Sequence, residues 1–144
     1  MIEKMQNFLA RAPALSGVTL KWGQTGPRPN TGGIHLQGVK VLDRKMDLLG
    51  RAKQRCSAEF VLRLCLPFPA GDGSTALDNA ARLAELQAWV SAESEAGRAP
   101  RFGNCDAVSE QTRTDGGQLD RLDVGGTGVY SIRVLSDYTM LYQA

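Results

Sequence analysis

The 144-residue chain has little of what catalytic and metal chemistry usually needs. It has one histidine, His35, and three cysteines, Cys56, Cys65 and Cys105. No two cysteines stand in CxxC spacing, so neither a zinc site nor a disulfide framework is expected. There is no GxSxG nucleophile elbow and no GxxxxGK phosphate loop. No apolar run approaches the ~20 residues that span a bilayer, and no membrane partner is expected. The opening MIEKMQNFLARAP carries Glu3 and Lys4 and lacks the long apolar stretch of a secretory signal. The expected setting is the cytoplasm of the cell that makes the chain. Aromatic residues amount to 6% and do not interleave with the bases, so a base-stacking platform is not expected. The net charge of +2 is too small to imply nucleic-acid binding.

What is present fits one globular domain. Hydrophobic residues make up 42% and charged residues 22%, ordinary proportions for a folded chain. A chain of this length buries roughly 68–70% of its unfolded surface and holds a core without staples. Glycine is abundant, at 16 residues, about 11% against an average near 7%.

Apolar residues at Ile2, Met5, Phe8, Leu9 and Ala12 predict an amphipathic helix over 2–12, stopped by Pro13. Residues 18–22 suit a short strand, 23–33 a glycine- and proline-rich loop, and 34–42 a second strand. From Arg51 the alternation is the clearest in the chain. Ala52, Gln54, Cys56, Ala58, Phe60, Leu62, Leu64 and Leu66 fall on one face. The other face carries Arg51, Lys53, Arg55 and Arg63. Paired with the preceding strand, this makes a long hairpin whose tip projects beyond the body. Ser74 or Thr75 is expected to cap a helix over 76–96, with Asp78 in its first turn. Ala76, Ala80, Leu83, Leu86 and Val90 form its buried stripe, and Gly97 and Pro100 end it. A strand is expected over 105–114, a wide hairpin turn over GGQLDRLDVGGTG, and a closing strand built on Tyr130, Ile132, Val134 and Tyr138.

The predicted fold is α+β. It is an antiparallel β-sheet of about four or five strands with a long hairpin, and one main helix and a short N-terminal helix pack on one face. Phe60, Leu62, Leu64, Leu83, Leu86, Ile132 and Val134 are the expected core.

No catalytic, cofactor or metal residues are assigned. A pair of His35 with a cysteine is conceivable, but Cys56 fits a core face, where free cysteine packs as a small hydrophobe. Asp115, Asp120 and Asp123 lack the ligand density of a calcium loop. The basic strand face is the one charge feature with functional promise. Arg51, Lys53 and Arg55 near the hairpin tip are the candidate interface residues.

The ordered elements also resemble a known family. The opening MIEKMQNFLARAP, the hairpin arm RAKQRCSAEFVLRLCLPF, the helix LAELQAWVSAESEAGRAPRFG, and the strands AVSEQTRT and GVYSIRVLSDYTM together cover nearly the whole chain. They resemble the minor capsid or tail terminator proteins of tailed phages and Gram-positive prophages. Trp89, Gly97 and Pro100 carry the family's marks. The resemblance implies a non-enzymatic single domain over 1–144 that caps the tail tube as a ring, usually a hexamer. That ring ends tube polymerisation and forms part of the head–tail joint. The implied partners are further copies of itself, the tail tube protein and the head–tail connector protein. The implied location is the virion tail, or the host cytoplasm during assembly. Two other readings stay open: a monomeric adaptor that binds an acidic protein, and a small phosphate-handling enzyme.

Overall fold

Alternating side chains from Ala52 onward build the strand around which the domain is arranged. In the computed structural model, residues 1–23, 28–68, 73–105, 110–123 and 126–142 are described. The elements run α1 (Ile2–Ala10), a 3₁₀ turn (Pro13–Leu15), β1 (Thr19–Trp22), β2 (Thr31–Met46), β3 (Ala52–Pro67), α2 (Gly73–Glu95), β4 (Gln111–Asp123) and β5 (Thr127–Tyr142). The five-stranded sheet has the order β1-β2-β3-β5-β4, so β3 lies at its centre. The fold is α+β.

β3 is paired antiparallel with β2 from Ala52 to Cys65 on one side and with β5 from Ala52 to Pro67 on the other. Its even-numbered side chains point to the face that carries both helices. Phe60, Leu62, Leu64 and Leu66 are buried there with Leu83, Leu86 and Val90 of α2. Met5, Phe8 and Leu9 of α1 and Ile132 and Val134 of β5 complete the cluster. All seven expected core residues belong to it. Burying one such side chain is worth about 1.5–3 kcal/mol. Phe8 stacks on Trp89 at 4.9 Å between ring centroids, which ties the two helices together.

Several features differ from the sequence expectation, the simplest being that β2 begins at Thr31, inside the expected loop 23–33, and runs on to Met46. The sheet is mixed, not antiparallel throughout: β1 pairs parallel with β2, Thr19 with Thr31 through Trp22 with Ile34. β1 spans only four residues, so the eight residues of 23–30 suffice to bring the chain back to its start. Asn30 at φ 62° and Gly23 at φ 87° bracket that return. The expected turn GGQLDRLD is instead strand: β4 continues to Asp123. Register shifts between Gly116 and Gln118 and between Leu119 and Arg121 absorb Gly117 and Asp120 as bulges. The glycines that suggested a turn serve a bulge, at φ 80° and 103°.

α2 starts at Gly73, three residues early, so Thr75 lies within the helix and does not cap it from outside. The side chain of Ser74 lies outside the described residues. Near its start the buried position is Asn79, while Ala80 is exposed. The Asn79 amide donates to the Pro67 carbonyl at 2.9 Å and to the Tyr130 hydroxyl at 3.2 Å. Those bonds turn the polar residue inward and leave Ala76 and Ala80 at the margin. The helix ends on Gly97 at φ 75°. Arg98 N bonds Glu93 O, and Gly97 N bonds Ser94 O, the paired bonds of a Schellman ending. Parts of the expected loop 23–33, the break after Pro67, the strand 105–114 and the glycine turn before Thr127 lie outside the described residues (24–27, 69–72, 106–109 and 124–125).

The stretch after α2 lies directly on β5. Asn104 acts as a side-chain strand partner: Leu141 N donates to its Oδ1 at 2.7 Å, and its Nδ2 donates to Leu141 O at 3.1 Å. A Cβ on Gly103 would collide with the Thr139 backbone, whereas one on Gly38 would meet nothing within 4 Å. Gly103→Ala is therefore expected to destabilise the fold, and Gly38→Ala to be neutral or stabilising. Leu62→Ala and Leu86→Ala should each cost about 2–5 kcal/mol. Urea unfolding of the four variants beside the parent checks all of these.

Candidate interaction surface

The hairpin β2–β3 outgrows its supports. Each strand has 16 residues, roughly 50 Å at about 3.3 Å per residue. β1 covers β2 only as far as Ile34, and the helical layer stops short of the tip. Beyond Leu36 every β2 residue from 37 to 46 is at least partly exposed. On the β3–β5 side, by contrast, Phe102 packs edge-on against Tyr138 at 6.0 Å and seals the inner face. Burial, followed by the neighbouring Cys56, pushes the Tyr138 hydroxyl above its ordinary range. The arm, residues 39–56, is thus sealed along β3 and open along β2.

Register decides which charges gather on it. Residues opposite one another in a sheet share a face. Lys40 stands opposite Ser57, Asp43 opposite Arg55, and Lys45 opposite Lys53. Lys40, Lys45, Lys53 and Arg55 therefore share the outer face, away from the helices. Lys40 and Lys45 come onto that face together because a bulge between Val41 and Asp43 shifts the alternation by one. They were missed from the sequence because counting by twos from Lys40 reaches Leu42 and Arg44. A bulge leaves no reliable mark in composition.

Of the three predicted interface residues, Lys53 and Arg55 lie on this open face, and Arg51 does not join them. Arg51 belongs to the turn. Its Nε donates to Asp47 Oδ2 at 2.7 Å, and its backbone N and that of Leu49 donate to Asp47 Oδ1, each at 2.9 Å. These bonds, led by the Arg51 backbone N–H, hold the Asp47 carboxyl below the usual carboxylate range. Arg63, the fourth base of the predicted face, lies far from the tip and donates to His35 Nε2 at 2.7 Å.

Among the described residues, the side chains of Lys40, Arg44, Lys45, Lys53 and Arg55 have no hydrogen-bond or ion-pair partner. The middle of the same sheet is different. Arg133 there bridges Glu59 at 3.1 Å and Asp115, and Arg113 faces Asp137 at 3.5 Å. The arm holds six basic and two acidic side chains, a net +4. The whole chain is only +2, so the remaining residues carry −2. Apolar groups accompany the charge. Val39, Val41 and Met46 are exposed on the inner face of β2; in the turn Leu48 stands fully out and Leu49 is largely exposed.

The other candidate residues do not converge. Cys56 is buried on the inner face, Cys65 is buried on the outer face opposite Thr31, and Cys105 is exposed. His35 lies opposite Val61. Asp115 pairs with Arg133, Asp120 accepts from Ser131, and Asp123 pairs with Arg121. Among the described residues no three His, Cys, Asp or Glu side chains are grouped to hold a metal ion. No family model and no curated protein matches the sequence.

Two outcomes follow. Like charges directly opposite one another in a sheet are destabilising, so Lys53→Glu should raise the stability of the isolated chain by roughly 0.2–1 kcal/mol, read by urea unfolding. The Asp47 carboxyl is depressed in the folded state, so its contribution is complete above the usual carboxylate range and lost as pH falls through its folded value. Asp47→Asn should thus be less stable than the parent at pH 7, with the difference closing in strong acid. Melting temperatures measured across that range check it.

Proposed function

We propose that this chain is a phage or prophage structural protein of the tail-terminator type. In this role it caps the tail tube as a hexameric ring, ends tube polymerisation and forms part of the head–tail joint. It works through surfaces it shares with its own copies, the tube protein and the connector protein, and not through catalysis. Its place is the virion tail, reached from the host cytoplasm during assembly.

The observation that supports this best is the arm. A ring subunit needs two different surfaces, because head-to-tail contacts are heterologous and close only at a fixed rotation. The arm supplies one of them, a projecting element with five unpartnered cations and exposed leucines. A single rim ion pair is worth about 0–1 kcal/mol. Several cations together guide encounter and register, and salt weakens that effect. The same cluster supports a second reading, a monomeric adaptor for an acidic protein. Mass in solution at assembly concentrations separates the two.

Reversing the charge tests the proposal. Lys45, Lys53 and Arg55 are all changed to Glu, while Arg51 is spared because it clamps the turn. The variant is expected to keep the circular dichroism spectrum of the parent and to fail in ring formation or tube docking. Normal tail assembly by the folded variant would overturn the proposal.

A further inference from the structure

The end of the arm gathers exposed apolar side chains that the sequence keeps apart. Among the described residues thirteen large apolar side chains are exposed, and eight of them lie within 39–49 and 141–142. Leu48 and Leu49 stand beyond the last strand pair, Met46 with Ala52. Met46 and Tyr142 are exposed beside that pair, Tyr142 opposite Ala52 on β5. Val39 and Val41 continue the apolar surface along the inner face of β2. No apolar run marks this cluster, because Lys40, Asp43, Arg44, Lys45 and Asp47 interrupt it in sequence. The hairpin collects in space what the chain separates.

Behind the two leucines comes a collar of positive charge. Arg44, Lys45, Lys53 and Arg55 lie within three residues of the last strand pair, roughly 10 Å at about 3.3 Å per residue. Arg44 stands opposite Gln54 on the inner face, and Lys45, Lys53 and Arg55 stand on the outer face. The cations therefore surround the sheet and do not gather on one side of it. Asp43 is the one carboxylate in these rows, and the Asp47 carboxylate in the turn is taken up by Arg51.

This order decides what kind of partner fits. A protein receiving the convex tip would need a pocket for the leucines and carboxylates on both sides of the sheet. A bilayer interface needs neither, since acyl chains close around any apolar shape and anionic headgroups surround it at one depth. Interfacial elements enter that boundary by about 5–10 Å, which brings the collar to the level of the phosphates. Exposed tyrosine suits the same layer. Duplex DNA would answer the cations, and most of the apolar surface would stay in water.

We propose that the arm tip inserts into the interface of a bilayer that carries anionic lipid. Leu48 and Leu49 enter among the acyl chains, and Arg44, Lys45, Lys53 and Arg55 meet the lipid phosphates. With Val39 and Val41 on the inner face, the arm leans that face toward the lipid. No membrane partner was expected from the sequence because only a spanning run leaves a mark there. The contact is peripheral and is independent of the tail-terminator reading.

Vesicle binding by the full chain tests it. The probes are vesicles of phosphatidylcholine alone and of phosphatidylcholine mixed with phosphatidylserine. The chain is expected to sediment with the mixed vesicles at least several-fold more than with phosphatidylcholine. Binding should weaken on going from about 0.1 M to about 1 M salt, where the screening length drops from about 10 Å to about 3 Å. Leu48→Ser with Leu49→Ser should lower the partition about tenfold or more, with the circular dichroism of the parent retained. Depth is read by an environment-sensitive fluorophore on Leu49→Cys, with Cys105→Ser to remove the exposed native thiol. Its emission is expected to shift to the blue with mixed vesicles, while the same label on Leu77→Cys, exposed on α2, keeps its emission in water. No sedimentation with mixed vesicles overturns the insertion, and so does sedimentation with the Leu49 label still in water. Binding that ignores the leucine substitutions, and is matched by binding to duplex DNA, overturns it as well and marks a plain polyanion surface.

Discussion

The structure depends on one constraint, the pairing of β3 on both sides along its length. Its sixteen residues pair with β5 in unbroken register, and Ala52 to Cys65 pair with β2 as well. In a strand the side-chain period is two, so this register decides the environment of every side chain at once. A slip by one residue would send Phe60, Leu62 and Leu64 to the outer face and Lys53 and Arg55 into the core. Neither could be accommodated, so the register is strongly determined. The helices follow from it. They cover the face that the even-numbered residues make apolar, and among the described residues the other face has no second layer.

That uncovered face divides into two electrostatic regions. Toward the middle, Arg133 and Arg113 are each matched to carboxylates on neighbouring strands. Toward the tip, Lys45 opposes Lys53, and no described carboxylate bonds to Lys40 or Arg55. Such an arrangement works against the stability of the isolated chain. At the root of the arm, Ser57 and Asp137 stand opposite each other, and both are buried. Ser57 Oγ and Asp137 Oδ1 have no hydrogen-bond partner among the described residues. Buried polar atoms are nearly always paired, so these two stand as exceptions at the root of the arm.

The margin of α2 is set by a small packing choice. Asn79 spends its amide on Pro67 and Tyr130 and so takes the inward position of its helical turn. Ala80 is displaced outward, and the helix margin facing β4 becomes a line of small side chains above an apolar floor. The same β4 has bulges that accommodate Gly117 and Asp120 and carry the strand past that margin.

Much of this architecture was legible in the residues themselves. The even-numbered apolar run from Ala52 to Leu66 showed the central strand and its core face. Leu83, Leu86 and Val90 showed the buried stripe of the main helix, and Gly97 showed its end. These signals are local, because periodicity and glycine's freedom at positive φ act within a few residues. Lys53 and Arg55 were legible as surface bases for the same reason. The parallel pairing of β1, the continuation of β4 through Gly116 and Gly117, and the inward turn of Asn79 were not. Each is decided by a partner distant in sequence: Thr31 for Thr19, Ile132 for Gly116, and Tyr130 for Asn79. The basic cluster shows the division within one site. Its β3 half followed from alternation alone. Its β2 half, Lys40 and Lys45, depended on a bulge whose position only the pairing of two strands determines.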